Sequence, residues 1–344
     1  MQTATERQSK QDAVAAWLTA LGEALEILQA GQPAAALELL LPLVHKHPRS
    51  LLKSAIHRQA LARALVAAGR CQLELEQVEA GTKLMEQALD LDRVSPQLHC
   101  ELGQSYWRAG HHAEAMRCFQ QAVELDPGYA RAYLALAGLR RERGMLREAS
   151  EALETAVSLN PSSPETRAAL AELYHELGRH DQVVAQAEQM LALNPRNPCA
   201  YDLLAMGQFH CGELDRAIET IGRLIYLEPG DPHHHFKLGM LFQHRGEPVR
   251  AMAEYLRSFE MAEDNELAQS AAEAIERLDQ YQLEQLLLRA AEDPQFRVRL
   301  MHDPDETVRR HGFLLSEVAL SALRGMDLDS AGESAESPPK SLYH

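Results

Sequence analysis

Residues 96–129 read PQLHCELGQSYWRAGHHAEAMRCFQQAVELDPGY. Small and aromatic residues hold fixed places in this stretch, namely Leu102-Gly103, Tyr106, Gly110, Ala115, Phe119, Ala122 and Pro127. The same order returns after 34 residues at 130–163, and it continues through 164–197, 198–231 and 232–265. An internal period of this length predicts a chain built from stacked copies of one small unit.

A glycine and a proline recur at constant places in these copies, except that the copy at 232–265 has Glu263 in place of the proline. A glycine recurs as Gly144, Gly178, Gly212 and Gly246, and a proline recurs as Pro161, Pro195 and Pro229. Glycine is favoured where a helix ends in the left-handed conformation, and proline cannot continue a helix. Each unit is therefore predicted to be two helices joined by a tight turn.

This order of small and large residues resembles the tetratricopeptide repeat, a helix–turn–helix unit of 34 residues. The resemblance implies an all-α fold, a right-handed superhelical solenoid of about seven repeats with a capping helix and a small C-terminal helical appendage. Two further units at 17–50 and 55–95 complete the seven. In the unit at 55–95, Ala88 falls seven residues later than the period predicts, which indicates an elongated second helix over 71–92.

The flanking segments lack the period. We predict a flexible N-terminus over 1–16, a capping helix over 266–282, a helical appendage over 283–325 and a disordered tail over 326–344. In the appendage, Asp293-Pro294, Asp303-Pro304 and Ser316 are typical helix starts. Its predicted core consists of Leu287, Phe296, Leu300, Val308, Phe313, Leu315, Val318 and Leu320.

Composition excludes several classes of function. A net charge of −16 and an isoelectric point near 5.5 argue against a general binder of nucleic acid or of anionic membranes. No run of about 18 apolar residues predicts a membrane span, and the N-terminus lacks the pattern of a signal peptide. Five cysteines without a CxxC pair suit a reducing compartment. We expect a cytoplasmic protein without membrane insertion.

The resemblance also implies a binding groove lined by the first helix of each repeat. For this chain, the resemblance implies that the groove binds a peptide or helix of a protein partner. The phenylalanine and methionine residues at groove positions suit an apolar ligand. The alternative is that some of these side chains pack internally. The sequence leaves the oligomeric state open. The candidate groove residues are Trp107, Arg108, Arg131, Arg141, Met206, Phe209, His210, Phe236, Lys237, Met240 and His244.

The appendage resembles a second recurrent pattern. Its order of residues is similar to the helical leader segments of nitrile-hydratase-leader-type peptides and to helical subunits related to protocatechuate dioxygenases. This resemblance implies a substrate or accessory protein of a peptide-modifying system, and the alternative is a helical cap followed by a polar tail. The implied recognition surface consists of Phe296, Arg297, Leu300, Gly312 and Leu315.

Catalytic chemistry has no motif in this chain. No nucleophile–histidine–acid set, phosphate-binding loop or dinucleotide fingerprint occurs, so we expect no enzyme and no cofactor. Sixteen histidines leave a metal-dependent activity as a third hypothesis, with His210, His233 and His244 as its ligands. Solvated or groove-lining histidines are the alternative, and no metal ligand is assigned.

Overall fold

The structure, a computed structural model, describes residues 2–47, 54–262 and 265–326, with side chains from residue 11 onward except that of Asn265. All regular structure in these ranges is helical, as the sequence predicts. The helices are α1 (Gln2–Gln29), α2 (Pro33–His45), α3 (Ala55–Glu74), α4 (Val78–Leu91), α5 (Pro96–Arg108), α6 (His112–Leu125), α7 (Ala130–Glu142), α8 (Leu146–Leu159), α9 (Pro164–Glu176), α10 (His180–Leu193), α11 (Pro198–His210), α12 (Leu214–Leu227), α13 (Pro232–His244), α14 (Pro248–Met261), α15 (Asn265–Glu292), α16 (Pro294–His302), α17 (Pro304–Arg310) and α18 (Glu317–Arg324).

Helices α1 to α14 form seven consecutive pairs. We call the first helix of each pair the A helix and the second the B helix. The turns within the pairs contain glycines with φ between 70° and 81°, at Gly31, Gly110, Gly144, Gly178, Gly212 and Gly246. These values lie in the left-handed region of backbone conformation, which residues other than glycine rarely adopt. The predicted helix–turn–helix repeats are thus present, and together they form a helical repeat solenoid.

The second helix pair starts at a different residue from the one that the predicted repeat register gives. Its turn residue is Glu76, with φ of 62°, and Glu76 lies 34 residues before Gly110. The B helix α4 begins at Val78, so there is no long helix over 71–92; instead the A helix α3 has 20 residues where α5 has 13. The extra residues precede the repeat. The second repeat in register is therefore 62–95, and we number the repeats 1 to 7 from 17–50 through 62–95 to 232–265.

Close contact between A and B helices explains the small residues of the pattern. A Cβ atom on Gly103 of α5 would stand 2.6 Å from the ring of Phe119 on α6, and one on Gly239 would stand 2.7 Å from the ring of Tyr255. The glycines therefore leave room for an aromatic ring of the partner helix. Ala115, Ala149, Ala217 and Ala251, at one place in the B helices, are completely buried.

By its internal contacts the chain divides into two compact units, residues 1–173 and 174–344. In the first unit, residues 2–16 of the predicted flexible segment lie within helix α1. Val14 and Trp17 of that helix are buried, and the indole Nε1 of Trp17 donates a hydrogen bond of 2.9 Å to the carbonyl of Leu43. Burial of this apolar stripe against α2 explains why the helix continues through the polar N-terminal sequence.

In the second unit, the predicted cap and appendage share one helix. Helix α15 runs from Asn265 to Glu292 and passes the expected boundary at 282 and 283 without a break. Ala274 and Ile275 pack on the last repeat, whereas Leu283 and Leu286 belong to the core of the appendage. The three predicted helix starts are confirmed: the side chains of Asp293, Asp303 and Ser316 each accept a hydrogen bond from a backbone amide of the following helix. Beyond residue 326 the predicted tail lies outside the described residues.

Candidate partner-binding surfaces

The side chain of Trp107 packs against other residues of the first unit. Its indole Nε1 donates a hydrogen bond of 2.6 Å to Glu142, and its ring meets the ring of Phe119 edge to face at a centroid distance of 6.3 Å. A Cβ atom on Gly138 would stand only 2.5 Å from this indole. Trp107 therefore fills the space between neighbouring A helices, and the internal-packing interpretation applies to it.

The candidate arginines of this unit differ in their partners. Arg131 forms an ion pair of 3.4 Å with Glu101, whose side chain is only 7% exposed, and Arg141 pairs with Glu172 at 3.1 Å. Each pair joins neighbouring A helices. Arg108 is exposed at the end of α5. Two of the three predicted cations thus neutralise carboxylates of the protein itself.

In the second unit, two candidate residues are similarly engaged. Lys237 forms an ion pair with Asp202, and the half-buried ring of Phe236 packs against Tyr255 at a centroid distance of 5.3 Å. Met206 is half-buried, whereas Met240 is 40% exposed. Of the two methionines, Met240 therefore offers more accessible surface.

Five rings of the second unit form a row, which we call the ring row. The ring of Phe209 lies 4.8 Å from that of His244 and 5.1 Å from that of His210. His210 in turn stacks on His180 at 4.5 Å, and His175 lies 4.9 Å from His210. The row brings together side chains from α9, α10, α11 and α13, and it includes three of the predicted groove residues.

The ring row favours the uncharged form of His210. Burial, followed by the proximity of His180 and His175, lowers the pKa of His210 below its ordinary value of 6.5. The Nδ1 atoms of His175 and His180 are buried and make no hydrogen bond with any described residue. At neutral pH His210 is therefore uncharged, and it lies in the row between the rings of Phe209 and His180.

The burial of three appendage residues contradicts the recognition surface that was predicted for this segment. Phe296, Leu300 and Leu315 are at most 4% exposed and form the core between α15, α16, α17 and α18. A buried side chain cannot contact a modifying enzyme, so the predicted recognition surface is wrong for these three positions. Gly312 has φ of 76° and ends α17, and Arg297 is half-buried. Of the predicted core, Val318 is also wrong, since it is 49% exposed.

The histidine triad proposed as metal ligands does not form. His233 faces Asp231 instead, with Nδ1 and Oδ1 2.9 Å apart. Among the described residues, a different group places its ligand atoms within 4.8 Å of one another, namely Glu228, Asp231 and His234. His234 Nε2 is already within hydrogen-bonding distance of Glu228, at 3.1 Å, which gives the group a structural role without a metal ion.

The sequence-based register missed a third surface. Arg63, Val66, Ala67, Arg70 and Glu74 lie 34 residues before the predicted groove positions 97, 100, 101, 104 and 108. In the structure these five residues of α3 line a cavity of about 470 Å³, together with residues of α1 and α5. The spacing of Gly69 from Gly103, and of Ala88 from Ala122, could have revealed this register.

Comparison with known proteins agrees with this architecture. The fold defines the class of helical repeat solenoids. A family model described as tetratricopeptide repeat matches residues 106–173 and 140–186. Residues 106–186 thus match the tetratricopeptide repeat, in agreement with the resemblance stated from the sequence.

Two solved structures share the fold. The C-terminal part of a repeat-containing protein from Cytophaga hutchinsonii is 15% identical, covers 72% of this chain and 98% of its own length, and gives a TM-score of 0.57. A tetratricopeptide repeat protein from Parabacteroides merdae is 16% identical, covers 75% and 98%, and gives a TM-score of 0.52. A search of curated proteins found no matching sequence. Within the described residues, no helix combines the length and the apolar character needed to cross a bilayer.

Proposed function

We propose that this chain is a non-enzymatic scaffold that binds a peptide or helix of a protein partner on the A helices of its second unit. Tetratricopeptide-repeat proteins are in general interaction scaffolds. The observation that carries the proposal is the ring row with Met240 beside it on α13. Phe209 is half-buried, Met240 and His244 are exposed, and together they offer apolar area to a ligand.

The chemistry of this surface indicates an apolar ligand. Methionine adapts its shape to a partner side chain, and the neutral imidazole of His210 can both donate and accept hydrogen bonds. Lys237 does not offer its full charge, because Asp202 neutralises it. A ligand helix or strand with aliphatic or aromatic side chains therefore suits the surface better than a strongly acidic one does.

A reducing compartment such as the cytoplasm belongs to the same proposal. None of the five cysteines forms a disulfide, and burial raises the pKa of Cys71 to about 11 and that of Cys100 to about 12. Buried thiols of this kind stay protonated and unreactive at neutral pH. They support a packing role and favour no redox chemistry.

Site-specific photocrosslinking in the native host tests the proposal. A photoreactive phenylalanine analogue replaces Met240, and in a matched chain it replaces Tyr226, which is 85% exposed on the B helix α12. We expect a discrete adduct with one protein from position 240 and none with that protein from position 226. Identical adducts from both positions, or none from position 240, would contradict the proposed binding surface.

A further inference from the structure

The cavity of repeats 1 to 3 is separate from the surface proposed above. Helix α3 contributes Arg63 and Arg70, with Val66 and Ala67 between them. Leu25 and Leu28 of α1 and Leu98 of α5 also line it. Its volume of about 470 Å³ is in the range of ligand-binding sites, and aliphatic side chains share its wall with charged and other polar ones.

The two arginines of this cavity differ from the ion-paired arginines of the other A helices. Among the described residues, neither guanidinium takes part in an ion pair or a side-chain hydrogen bond. Glu74 and Asp92 also line the cavity, but within the described part of the chain no carboxylate lies within 4.0 Å of either arginine.

The register explains the missing partner of Arg63. Arg63 and Arg131 occupy the same place in repeats 2 and 4, and Arg131 pairs with Glu101 of the preceding A helix. The place of Glu101 in repeat 1 is held by Gly22. The cation is therefore present without the carboxylate that neutralises its equivalent, and an external carboxylate can take that place.

The spacing of the arginines defines the ligand. Seven residues on a helix span about 10.5 Å, and one three-residue turn of a polyproline II peptide spans about 9 Å and brings side chain i+3 to the same face as side chain i. We propose that this cavity binds a peptide segment in the polyproline II conformation, with acidic side chains at positions i and i+3 and aliphatic side chains between them. The carboxylates meet Arg63 and Arg70 of α3, and the two aliphatic side chains, on the other faces of the peptide, point toward Leu25 and Leu28 of α1 and toward Leu98 of α5.

This inference rests on the proposed scaffold function, because it assigns a second peptide segment to the same protein. Glu74 and Asp92 sharpen the specificity. Like charges in one site repel, so these carboxylates disfavour a ligand with acidic residues beyond the pair. The preferred ligand is thus a short acidic–aliphatic–acidic motif and not a polyacidic tract.

Fluorescence anisotropy with the full chain tests the inference. The probe is a fluorescein-labelled peptide, Gly-Glu-Leu-Leu-Glu-Gly with an amidated C-terminus, and the matched peptide has glutamine in place of both glutamates. We expect the glutamate probe to bind at least tenfold more tightly than the glutamine peptide, with an affinity that falls as salt is added. We expect R63E/R70E to reduce binding of the glutamate probe by at least tenfold.

Arg117→Glu is the control variant. Arg117 lies on the B helix α6, is 72% exposed and pairs with Glu114, so its replacement changes the net charge as one cavity replacement does. We expect unchanged binding in this variant, and circular dichroism verifies that each variant is folded. Equal affinity of the two peptides, equal binding by R63E/R70E, or no binding of the glutamate probe would overturn the inference.

The outcomes separate this inference from the proposed function. An adduct at position 240 without binding of the glutamate probe would contradict the proposed acidic ligand of the cavity and would still support the scaffold function. Binding of the probe that depends on Arg63 and Arg70, without an adduct at position 240, would support the cavity and contradict the surface of the second unit.

Discussion

The A helices of repeats 2 and 4 carry an arginine at the same place but use it differently. Arg131 of repeat 4 neutralises Glu101, whose side chain is almost fully buried. Arg63 of repeat 2 lines an open cavity and has no carboxylate partner among the described residues. Because the helix geometry repeats while the neighbouring side chain changes, the same residue type stabilises the array in one repeat and is available for a ligand in the other. Four predictions follow this contrast between packed and open positions.

The largest expected effect is on a packed position. Trp107→Ala removes the ring that meets Phe119 and lies against Gly138, and we expect the free energy of unfolding to fall by about 3 kcal/mol. Denaturant unfolding followed by circular dichroism measures it. Ile56→Ala, at a side chain that is 75% exposed, is the control and should change stability by less than about 0.5 kcal/mol. A similarly small effect for Trp107→Ala would mean that the indole is a free groove residue.

Gly22→Glu converts the open arrangement into the paired one. A Cβ atom on Gly22 has no atom within 4 Å, so the new side chain fits, and its carboxylate can compete for Arg63. We expect the glutamate probe to bind at least tenfold more weakly, while the protein gains about 0.5–1 kcal/mol because glycine in a helix interior is destabilising.

Gly222→Glu is the matched control for this prediction. Gly222 lies within α12, also with no atom near an added Cβ, so the gain in stability should be similar and the affinity unchanged. Full binding of the probe by the Gly22→Glu protein would show that the two repeats are not equivalent in this respect.

Glu76→Gly removes another difference between repeat 2 and its neighbours. Glu76 has φ of 62°, a left-handed value that the other turns assign to glycine. We expect about 1 kcal/mol of added stability, since glycine adopts this conformation without a steric penalty. Glu79→Gly, in the first turn of α4, should change stability in the opposite direction. A loss of stability in the Glu76→Gly protein would show that the glutamate side chain contributes more than its backbone conformation costs.

The smallest expected effect concerns pH and the ring row. The folded protein holds the pKa of His210 below the ordinary 6.5, so protonation is less favourable in the folded state than in the unfolded one. The histidine therefore costs no stability above pH 6.5, and stability decreases as the pH falls through 6.5 toward the lowered value. Thermal unfolding between pH 7.5 and 5 should show a shallower decrease for His210→Gln. Identical pH profiles of the two proteins would contradict the shifted pKa.

The fold was predictable where a local residue sets a local conformation. The turn glycines, the helix-starting Asp-Pro steps and the capping Ser316 act within a few residues of themselves, and all appear as expected. The register of repeat 2 was not, because Glu76 stands where the other turns have glycine and extra residues precede the repeat. A search for the 34-residue spacing of Gly69 from Gly103 would have found it.

The surfaces were less predictable because they depend on contacts between distant residues. Arg141 and Glu172 are 31 residues apart, and nothing near Arg141 in the sequence marks it as neutralised. Phe296 was expected on a surface, but a short helix shows too few turns to reveal which face is buried, and this ring is completely enclosed. The position in the repeat thus predicts where a side chain lies on its helix. The residues of the neighbouring helix determine whether that side chain is packed, paired or available to a ligand.

The continuous helix α15 limits where this protein can be shortened. A chain that stops at residue 282 would end in mid-helix, and it would lose the hydrogen bonds that Gln282 makes with the backbone of Leu314, at 2.8 Å and 3.0 Å. It would also leave the fully buried carboxylate of Asp279 without Ser316, whose backbone amide donates to it at 2.9 Å. Deleting the appendage therefore also exposes the end of the last repeat, so a deletion phenotype alone does not assign a function to residues 283–326. Point substitutions on the exposed faces of α16 and α18 are the cleaner way to assay that segment.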